Sequence, residues 1–134
     1  MIMYRWVEHP AELELQIDAP SKEALFADAL EAFEELVGGD PEGERARHEV
    51  FVADEHRDSA ALLVDWIEEL VFLAETEDFV PERIVSLELG ARGLRAEVEG
   101  RRDKPAHLVK AVTYHELLVE QRREGWHARV VLDV

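Results

Sequence analysis

The chain has 134 residues, 47% of them hydrophobic, and carries 31 acidic against 15 basic residues for a formal net charge of -16. That length and apolar content suffice for a buried core and exclude wholesale disorder. The absence of cysteine excludes disulfides, thiolate metal sites and cysteine nucleophiles, and the acidic surplus argues against direct, non-specific binding of a phosphate backbone.

No run approaches the length of a membrane span, and no basic start with an apolar core resembles a signal peptide, so a cytoplasmic location is expected. An acidic surface suits a basic protein partner or a bound cation, and plain solubility accounts for it equally. Asparagine is absent and arginine greatly outnumbers lysine, which fits a thermophile or a GC-rich genome.

Met1 to Val7 reads as a first strand, broken at Glu8-His9-Pro10 because proline restricts its predecessor and lacks a donor. Ala11 to Ile17 alternates, with Ala11, Leu13, Leu15 and Ile17 on one face and Glu12, Glu14 and Gln16 on the other, as in a half-buried strand. Ser21 is positioned to cap a helix reaching about Val37. Its apolar stripe is Leu25, Ala29, Ala32, Phe33 and Leu36, and Gly38-Gly39 stops it. Asp40 to Arg47 reads as a polar loop, Val50 to Ala53 as a short strand and Asp54 to Asp58 as a charged loop.

Asp58 or Ser59 caps a second helix with the strongest periodicity in the chain. Leu62, Leu63, Trp66, Ile67, Leu70, Val71, Leu73 and Ala74 form its buried face, opposite Asp65, Glu68 and Glu69. Pro81 bounds the following loop. Ile84 to Leu89 and Leu94 to Glu99 form a hairpin across Gly90-Ala91-Arg92-Gly93, and Arg101 to Leu108 is a polar loop.

A last hairpin pairs Tyr114 to Glu120 with the strand from Trp126, across Arg122-Arg123-Glu124-Gly125. In that final strand Trp126, Ala128, Val130, Leu132 and Val134 point one way, and His127, Arg129, Val131 and Asp133 the other. Because the sequence stops in mid-strand with no tail, this strand is expected to dock centrally. No repeat, low-complexity segment or linker is present, so one domain over residues 1–134 is expected. The fold class is α+β, a two-layer sandwich of two helices on one face of a mostly antiparallel sheet of about six or seven strands.

There is no Gly-rich phosphate loop, nucleophile elbow or paired-histidine helix. The six histidines (His9, His48, His56, His107, His115 and His127) are scattered without ligand spacing. Glu12 opens the second strand and Asp133 sits next to the final residue. If their strands lie side by side, Glu12, Asp133 and the carboxylate or carbonyl of Val134 converge. Three hard oxygen donors suit calcium or magnesium rather than zinc, although in so acidic a chain ordinary solvated carboxylates explain the same residues. Lys110, Thr113, Tyr114 and His115 read either as a polar strand edge with a snorkelling lysine or as a partner-contact patch.

Three stretches carry a resemblance: Lys110-Ala111-Val112-Thr113-Tyr114-His115, the Gly125-Trp126 turn and the Leu132-Asp133-Val134 end. Together they resemble the archease family, as do Tyr4-Arg5-Trp6-Val7-Glu8-His9-Pro10-Ala11-Glu12 and the helix Leu62-Leu63-Val64-Asp65-Trp66-Ile67-Glu68-Glu69-Leu70. Pro10 stands where the family has threonine and Glu12 where it has aspartate. The resemblance implies a divalent cation, typically calcium, on Glu12, Asp133 and Val134, with His9, Lys110 and His115 as partner-contact candidates. It implies a non-catalytic protein cofactor of the RtcB-type tRNA-splicing ligase, which joins RNA ends using GTP and manganese through its own guanylylated histidine. The cofactor promotes that guanylylation and multiple turnover. Two rivals are a chaperone-like modulator of a tRNA cytosine-5 methyltransferase and a small metal-dependent hydrolase using Glu12 and Asp133. The second lacks any identifiable base or nucleophile.

Overall fold

The computed structural model describes residues 3–38, 42–55 and 57–134. Met1 and Ile2 of the first expected strand, Gly39 of the helix stop, Asp40 and Pro41 of the next loop, and His56 lie outside the described residues. The elements in chain order are β1 (Tyr4–His9), β2 (Glu12–Ala19), α1 (Lys22–Val37), β3 (Glu44–Ala53), α2 (Ser59–Thr76), β4 (Phe79–Gly90), β5 (Gly93–Arg102), β6 (Ala111–Arg122) and β7 (Gly125–Asp133).

This is the expected α+β fold of two helices on antiparallel strands. Among the described residues the strands divide into a four-stranded sheet, β1-β2-β7-β6, and a three-stranded sheet, β3-β5-β4, rather than forming one sheet. The helices bridge the two. Helix α1 packs on β1, β2, β4 and β7, while α2 packs on β3, β4 and β6 and against α1. One core therefore fills the space between the helix layer and both sheets.

Local chemistry sets the helix ends. Ser21 accepts a hydrogen bond from the Ala24 N–H at 3.1 Å, and Asp58 Oδ1 accepts from the Ala60 N–H at 2.9 Å, each satisfying donors that the first turn leaves free. Helix α1 ends at Gly38, whose φ of 38° suits a residue without a Cβ. The two helices are tied at Trp66, fully buried, whose indole N–H donates to the Phe26 carbonyl at 3.0 Å. The ring thus contributes apolar area without stranding its polar atom.

Several boundaries differ from the sequence reading. β1 continues through His9, and β3 starts at Glu44 inside the expected polar loop, because Arg45 and Arg47 pair across the sheet with glutamates of β5. β5 likewise runs on to Arg102. Pro81 lies inside β4 instead of in a loop. It is tolerated there because β4 is an edge strand and its register shifts between Pro81 and Arg83. β6 begins at Ala111, before the expected Tyr114, and its pairing with β7 breaks between Thr113 and Leu118. Five steps along β6 there oppose two along β7, from Val131 to Arg129, so the surplus residues bulge out and Glu116 takes a φ of 54°.

Candidate functional site

β7 lies in the interior of the four-stranded sheet, with β2 on one side and β6 on the other. Strand alternation turns Leu15 and Ile17 of β2 and Ala128, Val130 and Leu132 of β7 into the core, all 1% exposed or less. The same alternation sends Glu12, Glu14, Gln16 and Asp18, with His127, Arg129, Val131 and Asp133, to the face away from the helices. The antiparallel register sets Glu12 opposite Asp133, Glu14 opposite Val131, Gln16 opposite Arg129 and Asp18 opposite His127. On the other flank of β2, His9 stands opposite Glu12, and beyond β7, Ala111 stands opposite Asp133.

Most polar groups on this face are engaged. Arg5 donates to Gln16 Oε1 at 2.9 and 2.6 Å, Gln16 Nε2 donates to Glu14 Oε2 at 2.5 Å, and His9 Nε2 lies 3.4 Å from Glu14 Oε1. Glu14 is only 6% exposed. The Gln16 hydrogen bond holds its carboxyl below the ordinary glutamate range; burial opposes this, and His9 and Arg129 add to it. At the far end of the face, His127 Nδ1 and Asp18 Oδ1 are 2.8 Å apart.

Glu12 and Asp133 are the exception. Both are half-buried, and among the described residues neither carboxylate takes a side-chain hydrogen bond or an ion pair. Directly opposed residues on antiparallel strands hold their Cβ atoms about 5 Å apart, and like charges so placed repel. The backbone around them is well tied. The Lys110 N–H donates to the Asp133 carbonyl at 2.8 Å, and the Val134 N–H to the Ala11 carbonyl at 3.4 Å. The hairpin that presents Glu12 is the two-residue turn Pro10-Ala11. Pro10 fixes its own φ, and Ala11 is driven to a φ of 60°, the positive value that a type II turn needs at its second central position.

As a donor set, two carboxylates and an oxygen of Val134 are hard ligands and fit a hydrated calcium-class ion, with water completing the shell. They do not fit zinc. No cluster of three or more His, Asp or Glu side chains suited to hold a metal exists among the described residues, so any cation here leans on main-chain oxygen and solvent.

The remaining candidates divide. Lys110 lies beside Asp133 through its main chain, with its side chain exposed. His115 sits in the β6 bulge, exposed, its N–H donating to Thr113 Oγ1 at 3.3 Å. His9 opposes Glu12 in register, but its ring turns to Glu14. The sequence reading missed Glu14 as a buried carboxylate, since alternation alone sends it to solvent. The signal available was Gln16 two residues along the same strand face, with His9 across the turn.

The chain matches the Archease protein family (MTH1598/TM1083) over residues 4–134. It belongs to the archease family. A protein archease from Methanosarcina acetivorans is 32% identical across 98% of this chain and 95% of its own length. One from Archaeoglobus fulgidus is 31% identical across 98% of each. The solution structure of protein 1598 from Methanobacterium thermoautotrophicum has the same fold, with a TM-score of 0.70, 24% identity and full coverage of both chains. So has an archease from Thermotoga maritima, described as a possible chaperone, at a TM-score of 0.62, 24% identity and 98% coverage of both chains. Among the described residues, no helix of this archease is long and apolar enough to cross a membrane.

Proposed function

We propose that this archease is a non-catalytic protein cofactor of an RtcB-type tRNA-splicing ligase, and that Glu12, Asp133 and an oxygen of Val134 hold a divalent cation, calcium by its donor chemistry. The observation that carries this reading is the Glu12–Asp133 pair: two opposed carboxylates without an ion-pair partner among the described residues, held on the interior strands by main-chain bonds. A divalent ion there would cancel the repulsion and offer a positive centre to phosphate or carboxylate oxygens of a partner's site. Glutamate at position 12 reaches one methylene further than aspartate, which suits a flexible calcium shell better than the near-ideal octahedron of magnesium.

The protein's own roles are binding and presentation. The outer face around Glu14 holds His9 and Gln16 away from the carboxylate pair. Lys110 and His115 flank it as exposed contact groups for the ligase. An acidic surface complements a basic RNA-binding cleft, raising the association rate without contacting RNA.

The test is multiple-turnover RNA ligation by the cognate ligase with GTP and manganese, with and without this protein at substoichiometric amounts. Stimulation of turnover and of ligase guanylylation is expected, and Asp133→Ala should abolish both while its metal-free melting temperature stays at or slightly above that of wild type. Normal stimulation by Asp133→Ala would remove the cation site from the mechanism. The description of the Thermotoga maritima archease as a possible chaperone favours a second reading, as a modulator of a tRNA cytosine-5 methyltransferase. Stimulation of that enzyme in place of the ligase would establish it.

A further inference from the structure

Three large side chains from three separate elements meet at the surface beside α2. Phe51 of β3, Phe72 of α2 and Tyr114 of the β6 bulge line one trough of about 620 Å³. They are 51%, 55% and 63% exposed, so the core does not account for them, and this is an open trough rather than an enclosed pocket. Scattered exposed apolar residues need no explanation, but a convergent group does.

The trough's rim is acidic and patterned. Asp65, Glu68, Glu69 and Phe72 fall at i, i+3, i+4 and i+7 on α2, which puts them in one stripe on the side away from the buried Leu63, Trp66, Ile67 and Leu70. Like charges at this spacing oppose one another. Partial burial first, and then the charges of Asp65 and Glu69, push the Glu68 carboxyl above its ordinary range. No lysine, arginine or histidine lines the trough among the described residues. The Arg95 guanidinium, 5.6 Å from the Phe51 ring centroid, approaches that ring from the sheet and shows that an arginine fits against it.

We propose that this trough docks a segment of a partner protein bearing arginine or lysine next to aliphatic side chains. The aromatic rings offer apolar area and negative faces to a guanidinium or ammonium group, and the carboxylate stripe pairs with the same cations. Phosphate-bearing occupants, whether nucleic acid or an anionic lipid surface, meet repulsion from that stripe. A metal ion alone would use the carboxylates and leave the three rings without a role. The surface is separate from the Glu12–Asp133 pair, and the inference does not rest on the ligase reading.

The test is a titration of the isotopically labelled full chain with a short synthetic peptide carrying arginine and leucine on one helical face, followed by NMR. Resonances of Phe51, Phe72, Tyr114 and the Asp65–Glu69 stretch are expected to shift together. Affinity should fall about tenfold or more in Phe72→Ser and in the double variant Glu68→Lys/Glu69→Lys, and hold in Asp133→Asn. Tyr114→Ser serves as a second lesion, and unchanged melting temperatures exclude misfolding. The proposal is overturned by any of four results: shifts spread over the acidic surface, equal affinity in Phe72→Ser and Tyr114→Ser, equal binding of a glutamate-for-arginine peptide, or no binding at all. Self-association of the free protein that Phe72→Ser abolishes would also overturn it, by making a second copy the occupant.

Discussion

On the outer face of β3-β5-β4, the Glu99 carboxylate meets Arg45 at 2.8 Å, Arg47 at 3.1 Å and Arg83 at 3.1 Å. Arg47 also reaches Glu97, and Glu82 is shared between Arg45 and the buried Arg101. On the outer face of β1-β2-β7-β6, Glu12 and Asp133 stand opposite one another with no such partner among the described residues. Both faces present carboxylates from neighbouring strands, and they differ in where the arginines went. With 31 acids and 15 basic residues, neutralising every carboxylate is impossible. Among the described residues five arginines, Arg45, Arg47, Arg83, Arg95 and Arg101, are spent on the three-stranded sheet, where they knit three strands and, through Arg101 and Glu34, a helix. An opposed carboxylate pair that could have been given an arginine, and was not, is where an external cation would add most.

The largest effect should come from supplying that cation. Calcium at about a hundredfold its dissociation constant should stabilise the wild-type chain by about 2.7 kcal/mol, read as a rise in melting temperature that Asp133→Asn lacks and a chelator reverses. An equal rise in Asp133→Asn would mean that calcium binds elsewhere on the acidic surface. On the opposite face, the arginines themselves carry stability. Arg101→Ala removes a nearly buried guanidinium and leaves Glu82 and Glu34 short of a counter-charge. Both carboxylates retain some solvent, so the expected loss is about 2 kcal/mol in urea unfolding, between the cost of an exposed pair and the roughly 3–5 kcal/mol of a fully buried one. A change under about 0.5 kcal/mol would class the network as ordinary surface charge.

The two faces were unequally legible in the sequence. The strand alternation of residues 11–17 and 126–133 predicted both faces of β2 and β7. Their adjacency stood only as a condition, since central placement of the last strand does not say which strand lies beside it; the strand order supplies it. Glu12 opposite Asp133 needed only one correct register. The Arg–Glu network was hidden because Glu44 to Arg47 offers Ala46 as its one apolar residue. A single small residue among charges carries no usable period-two signal, and only partners on β5, more than 50 residues away, make the segment a strand. The trough of Phe51, Phe72 and Tyr114 was hidden for a related reason. Periodicity predicts what a helix or strand buries, not which exposed residues of different elements meet. The β6 bulge that brings Tyr114 there is a register break that composition does not announce.

The network should also set the acid limb of stability. Hydrogen bonds from Arg45 first, then Arg83 and Arg47, hold the Glu99 carboxyl below its ordinary range against the opposing effect of burial. A depressed folded pKa means that the contribution is complete above the unfolded-state value and is lost as pH falls through the folded one. Melting temperature should therefore decline on acidification below the ordinary glutamate range, and the decline should be shallower in Glu99→Gln, which has already lost that contribution at neutral pH. Parallel curves for the two proteins would assign acid sensitivity to other carboxylates.

The smallest effect separates the faces by sign. Without divalent cations, Asp133→Asn removes a like-charge pair at cross-strand distance while keeping the residue's shape. Two unit charges about 5 Å apart interact by about 0.8 kcal/mol in water, and partial screening trims this, so a gain of about 0.5 kcal/mol is expected. Neutralising Glu99 by the same kind of change removes attraction from three arginines and should lower stability instead. The gain should shrink as sodium chloride is raised, since an exposed repulsion is screened within about 10 Å at 0.1 M salt. If metal-free Asp133→Asn is less stable than wild type, Asp133 has a favourable protein partner after all. The two faces would then be alike, and the opposed carboxylates would no longer single out a cation site.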